Sequence, residues 1–274
     1  KTRQALLKAG EAFSEERIRR YSLLPLDNRW CYWTEARPLW NRARPDLAAQ
    51  VWAGNRALLC RTAGRRPGEG WPAYSTTALS DHHFLDPNVV AIPFRWRSVV
   101  LGKATTTANL SRRARKYLHE RGIIDPEANE EAATLAWYHA LAVCYAPEWL
   151  SENGDAIRAD LPRIPMPAHV EALERSASLG RRVAELLDPD VPVSGVTTGK
   201  VHDELRRFGV LRRIDGRQLD AARGDLAVAA RWGALQRGTI VMPGPGRVTE
   251  ASDPSSVGAE LVGWSLAPEA ILAR

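Results

Sequence analysis

The densest run of reactive side chains is Ser80-Asp81-His82-His83. Residues 73–85 read as a strand. Alternate residues of a strand share a face, so Asp81 and His83 would point one way and Ser80 and His82 the other. One face would then carry a histidine–carboxylate pair, which is half of a metal site or half of an acid–base site. No third ligand follows at motif spacing, so neither a metal site nor a catalytic residue is assigned. Hydrogen bonding to DNA or to the protein's own backbone is the better use of His82 and His83.

Arginines interleaved with aromatics are the stronger signal. Arg29, Arg42, Arg44, Arg61, Arg65, Arg66, Arg95 and Arg97 fall in or beside expected strands and loops, among Trp30, Tyr32, Trp33, Trp40, Trp52, Trp71 and Trp96. Arginine neutralises phosphates, and its planar fork meets guanine O6 and N7 bidentately. The loop Gly64–Gly70 could carry Arg65 and Arg66 into a groove. A basic helix over 111–121 puts Arg112, Arg115 and Lys116 on one face, suited either to a phosphate backbone or to solvent. The bland reading is that most of these tryptophans are core and many of the arginines are solvated or paired with carboxylates.

Several enzyme signatures are missing. The sequence has no GxxxxGK[ST] loop, no GxGxxG after a strand, no HExxH, no GxSxG elbow, and no Asp/Asn-Pro-Pro-aromatic tetrapeptide of an amino-methyltransferase. Their absence argues against a self-contained catalytic domain.

The elements that would hold these residues follow from periodicity and punctuation. A helix is expected over 3–20, from Ala5, Leu6, Ala9 and Phe13. A turn then enters a strand at 29–33. A short helix begins at Pro45 and is closed by Gly54. Strands follow at 56–63, 73–85 and 89–96. Pro126 to Tyr145 is the strongest helix, with Leu135, Tyr138, Leu141, Ala142 and Tyr145 on one face. Residues 160–167 are a proline-fixed connector. A further helix spans 168–187, and 238–248 reads as strand, turn and strand.

The charge is unevenly spread. Residues 1–122 carry 22 Lys and Arg against 10 Asp and Glu, a net +12, while residues 123–274 carry 16 against 22, a net −6. A basic half joined to an acidic half suggests one face for a polyanion and another for a different task. The expected fold class is α+β. A basic, strand-and-loop-rich part (1–122) would pack on a helical part (123–274) with a late small β element, both within one continuous domain or as two. With 274 residues, 45% of them apolar, the chain can bury a sizeable core. No window holds 18 uninterrupted apolar residues, so no membrane span is expected. Cys31, Cys60 and Cys144 form no CxxC pair and read as buried free thiols of a reducing cytoplasm. The first residue is Lys1, and the chain reads as part of a longer protein or as a processed one.

Four ordered blocks carry a family resemblance. "LPLDNRWCYW…LWNRARPDL" resembles the "PFDxRWxYW…RPRPEL" stretch in the C-terminal specificity region of type ISP restriction–modification enzymes. "TLAWYHALAVCYAPEWLSENGDAIRADLPRIPMP" (134–167) resembles that family's "WYHxLAxLxxPxYxxxNxDxLRxDWPRIPLP" block. "SASLGRRVAELLD" (176–188) and "WGALQRGTIVMPGPGRV" (232–248) continue the similarity in order. The resemblance implies a target recognition domain for double-stranded DNA, with no chemistry of its own. An adenine-N6 methyltransferase domain, in cis or in trans, would supply S-adenosylmethionine and base flipping. The chain itself would need no cofactor. Leu161 stands where the family often has Trp, and residues 249–274 lack the family's usual ending. Arg29 and Trp30 match a family motif, with Arg29 either at a DNA backbone or in an ion pair with Asp27 or Asp46. Pro162-Arg163-Ile164-Pro165 matches another, read as a structural connector. Two other readings remain open: a protein-interaction scaffold of a phage-defence complex, and a stand-alone nuclease using Asp81 and His83.

Overall fold

In a computed structural model of the chain, residues 2–37, 39–40, 42–61, 72–85 and 89–193 are described, with shorter segments at 209–213, 215–223, 225, 235–236, 239–240 and 246–251. The chain divides into two compact units, Lys1–Asp188 and Pro189–Arg274. The point where the charge changes sign, 122/123, falls inside the first unit.

The first unit is α+β. It opens with α1 (Thr2–Lys8), β1 (Ile18–Leu24), β2 (Asp27–Tyr32) and the short helix α2 (Pro45–Ala48). Strands β3 (Ala57–Arg61), β4 (Ala73–Thr76), β5 (Leu79–Ser80), β6 (Val89–Pro93), β7 (Arg95–Val100) and β8 (Lys103–Ala108) follow. Four helices close it: α3 (Arg112–His119), α4 (Glu130–Cys144), α5 (Pro147–Ala159) and α6 (Val170–Leu186). The second unit contains β9 (Gly209–Arg213), β10 (Leu235–Gln236), β11 (Thr239–Ile240) and β12 (Gly246–Ala251). There β12 pairs with β9 and β11 with β10, so the two strands expected over 238–248 take other partners and not each other.

Among the described residues, the first unit holds three small β assemblies. The hairpin β1–β2 is joined by β5, parallel to β1. Strand β3 sits between β4 and β6, antiparallel to both. Strands β7 and β8 form a two-stranded ribbon. The helix expected over 3–20 stops at Lys8, with Gly10 at φ +69 just beyond its end. The segment from Ile18 is a strand because its arginines find aromatic partners there. The Arg20 guanidinium lies 4.9 Å from the ring centre of Trp30, its cross-strand neighbour, and Arg19 lies 4.9 Å from that of Trp33.

The central sheet packs on α4 and α6. Leu58, Cys60, Ala73, Phe94, Leu141, Cys144 and Ala184 form one buried cluster. Phe94 stacks on Trp137 (centroids 5.8 Å apart, planes at 9°) and meets Tyr138 edge to face at 5.2 Å. Hydroxyls tie the layers together: Tyr145 donates to the Ala73 carbonyl at 3.2 Å and Tyr74 to the Leu187 carbonyl at 2.6 Å. Cys60 and Cys144 lie in this core, whereas Cys31, expected buried with them, is only half-buried. Helices α4 and α6 touch where a side chain is absent: a Cβ on Gly180 would fall 1.8 Å from the Tyr138 carbonyl oxygen. The connector 160–167 is non-helical, as expected, and is pinned by His139. The buried ring accepts from the Ser176 hydroxyl through Nδ1 (2.8 Å) and donates from Nε2 to the Pro165 carbonyl (2.8 Å). Ser111 and Asn129 cap α3 and α4 by accepting from Ala114 N–H and Ala132 N–H.

Two measurements check this packing. Gly180→Ala gains helix propensity worth about 1 kcal/mol but forces a Cβ into backbone; urea unfolding should show a net loss of ~2–3 kcal/mol. Burial pushes the His139 imidazole below its ordinary pKa, since the site holds the neutral form. The unfolded chain takes up that proton first as the pH falls. The melting temperature should therefore fall below about pH 6.5, and less steeply in His139→Gln.

Candidate nucleic-acid interface

An open cleft of about 930 Å³ lies between β1, β5, β6 and the segment leading into α2. Its rim brings together four of the expected residues: Arg42 and Arg44 from one wall, His82 and His83 from the other. All four are exposed. Each wall has a local cause. Arg44 adopts a left-handed backbone (φ +49) immediately before Pro45, whose fixed φ starts α2. Asp81 ends β5, and its carboxylate accepts the His83 N–H at 2.7 Å, so the chain turns there.

That turn corrects the strand expected through residue 85. The segment forms two strands broken at 77–78, β5 ends at Ser80, and 82–83 are a turn. Asp81 and His83 are neighbours nonetheless, with Nδ1 of His83 3.5 Å from Oδ1. The Tyr21 hydroxyl donates to the other carboxylate oxygen at 2.6 Å. Burial alone would raise the Asp81 pKa. The hydrogen bonds from Tyr21 and the His83 amide outweigh it and hold the carboxyl below its ordinary range. Burial, followed by the carboxylate, pushes the Tyr21 phenol well above its ordinary value. Asp81 is thus an ionised, satisfied acceptor that fixes the cleft wall. Among the described residues, no group of three or more His, Cys, Asp or Glu side chains could hold a metal ion. Trp40 completes the cleft floor, edge to face with Tyr21 at 5.2 Å and donating to the Tyr32 carbonyl at 2.8 Å.

The other expected residues are placed differently. Arg29 forms a bidentate pair with Asp27, both contacts 2.9 Å, which settles its partner in favour of Asp27. Arg61 is buried at the end of β3. Arg95 is mostly buried, donating to the Gly54 carbonyl and pairing with Glu130 at 3.2 Å. Arg97 lies 4.2 Å from the ring centre of Trp52. Arg112 and Lys116 are exposed on α3, with Lys116 3.7 Å from Glu120. Arg115, grouped with them by helical spacing, turns inward to the Ala108 carbonyl at 2.6 Å and to Glu127. Arg65 and Arg66 lie outside the described residues. Arg20 and the exposed Trp30 were not foreseen as a pair, because the helix expected over 3–20 hid their cross-strand register.

Comparison with known proteins gives the fold a relative. The family model described as the type ISP C-terminal specificity domain matches residues 1–191. No curated protein matches. Among solved structures, the chain is similar to the DrdV–DNA complex determined by cryo-electron microscopy (TM-score 0.51, 16% identity, 77% of this chain and 19% of that one). It is also similar to the ATP-dependent type ISP restriction–modification enzyme LlaBIII bound to DNA (TM-score 0.51, 12% identity, 98% of this chain and 18% of that one). The chain therefore spans about a fifth of the length of either structure. With the family match covering well over half of its residues, the chain belongs to the type ISP C-terminal specificity domain family.

Proposed function

We propose that this chain is a sequence-specific recognition domain for double-stranded DNA, serving an adenine-N6 DNA methyltransferase or restriction–modification enzyme. The observation that carries the reading is the cleft whose rim gathers Arg42, Arg44, His82 and His83, in a chain of this family. Among the described lining residues the one carboxylate, Asp81, is engaged by Tyr21 and His83, and Arg44 is paired with Asp46 at 3.4 Å, so the exposed Arg42 and the two histidine edges are the groups that face phosphates. The exposed Arg112 and Lys116 would extend the basic surface. Arg65 and Arg66 join the proposal on their sequence alone. Arg29, Arg61 and Arg95 are assigned to structure, given their partners and burial.

The catalytic apparatus belongs, in this reading, to a methyltransferase domain in cis or in trans, and S-adenosylmethionine would be held there. The working compartment is the cytoplasm, where such DNA is found. Among the described residues no helix is long and apolar enough to cross a membrane.

Fluorescence anisotropy of the chain on a randomised duplex pool, from about 50 to 200 mM salt, tests the reading. Binding should weaken with a log–log slope of several units. Replacing Arg42 and Arg44 together by Ala should weaken binding on every sequence and lower the slope by about two units. Arg65→Ala with Arg66→Ala should lower affinity by ~1–3 kcal/mol and relax sequence preference if either reads a base. No binding at the lowest salt would favour the protein-interaction reading.

A further inference from the structure

The β7–β8 ribbon places an apolar side chain where folding has no use for it. Leu101 is 102% exposed and sits at the tip, with φ +50, followed by Gly102 at φ +76. Val100 and Lys103 pair directly across, so the turn has two central residues, both left-handed. Such turns favour Asn-Gly, because a branched apolar residue gains nothing from a left-handed backbone. Leu101 therefore carries backbone strain and full solvent exposure together, and neither burial nor turn preference accounts for it.

Its surroundings indicate what would cover it. Residues 95–108 hold no Asp or Glu; of their three cations, Arg95 is paired with Glu130 and Arg97 lies over Trp52, while Lys103 stands exposed beside the tip. Residues 101–107 are all exposed, including Thr105, Thr106 and Thr107, and the Ser98 and Thr105 hydroxyls lie 2.9 Å apart. Val99 (66%) and Trp96 (38%) are exposed as well. The ribbon is firmly rooted: Phe94 and Ala108 are buried at its base, Asn109 N–H donates to the Phe94 carbonyl at 3.0 Å, and Gln50 bonds both backbone groups of Arg97. A cationic, hydroxyl-rich two-stranded ribbon with an apolar tip is complementary to a duplex groove, which admits such ribbons and whose base steps accept apolar wedges.

We infer that the β7–β8 ribbon is a second DNA-contacting element, with Leu101 as a wedge that inserts against a base step. This rests on the DNA-recognition reading and adds an element that the cleft does not include. Lys103 and the threonines hold the strands of the groove, and Leu101 unstacks the bases at the tip.

The test uses the full chain, the duplex enriched by it from a random pool, and the same duplex carrying 2-aminopurine. Wild-type binding should raise 2-aminopurine fluorescence at one step. Leu101→Asn should keep or raise the melting temperature, because Asn suits the turn. It should lose that fluorescence rise and bind about tenfold more weakly, with an unchanged salt slope, since no phosphate contact is removed. Lys103→Gln should lower the slope instead. If Leu101→Asn binds as tightly as wild type with the same fluorescence, the wedge is overturned while the DNA reading stands. If Leu101→Asn loses stability, Leu101 belongs to the fold and the inference fails. If the wild-type chain binds no duplex at the lowest salt, the DNA reading and the wedge fall together.

Discussion

The contact on which the first unit depends is the seating of Phe94 between Trp137 and Tyr138. Phe94 lies at the junction of β6 and β7. Burying it fixes the central sheet against α4, and the same residue starts the ribbon. Its N–H donates to the Arg56 carbonyl at 2.8 Å and its carbonyl accepts from Asn109. The ring thus secures the hydrophobic core, one wall of the cleft through β6, and the base of the ribbon through β7. Tyr138 in turn depends on Gly180, because only a residue without Cβ lets α6 reach the Tyr138 carbonyl. A glycine on one helix thereby positions an aromatic clamp on another, and the clamp positions both basic surfaces.

The arginines divide by what they touch. Arg56 reaches Asp188 and the Ala184 carbonyl, joining β3 to the end of α6, and Arg115 closes β8 onto α3. These guanidiniums donate to main-chain carbonyls inside the fold, the Ala108 carbonyl also accepting from Leu110 N–H at 2.9 Å, so their charge is taken up by internal hydrogen bonds. Arg42, Arg44, Arg112 and Lys116 stay exposed. A surplus of basic residues in 1–122 thus serves two physical ends, an internal polar scaffold and an external positive edge.

Much of this was legible in the sequence, and the failures are instructive. The helix expected from Pro126 to Tyr145 is α4, Glu130–Cys144: its long apolar period displays the body, while its start falls later, where Asn129 caps it. Residues 15–20 were misread because Arg17, Arg19 and Arg20 have no period of their own; their strand is stabilised by Trp30 and Trp33, a tertiary partnership that overrides local preference. The turn at Asp81 was missed because a single side-chain-to-backbone bond ended a segment otherwise rich in strand formers. Helix α5 is missing from the elements expected on periodicity, although Pro147 at its first position is a favourable start. Residue types at the cleft are visible in the sequence, whereas their grouping is not, since Arg42 and His82 come to line one cleft only through the tertiary fold. The inward turn of Arg115 is set by a backbone carbonyl, which no side-chain pattern displays.

Three non-glycine residues among those described have left-handed backbones: Leu26, Arg44 and Leu101. They differ in what offsets the strain. Leu26 turns the β1–β2 hairpin, packs on the cluster of Leu59, Tyr74 and Phe84, and donates its N–H to the Tyr74 hydroxyl at 3.1 Å. Its strain is absorbed by the core. Arg44 and Leu101 are exposed, and among the described residues their side-chain contacts are slight: Arg44 reaches its near neighbour Asp46, at 3.4 Å, and Leu101 stands fully in solvent. Sequences that fold to one structure agree with local rules except where function imposes another demand. The two unoffset exceptions fall on the rim of the cleft and the tip of the ribbon, where the side chains stand exposed.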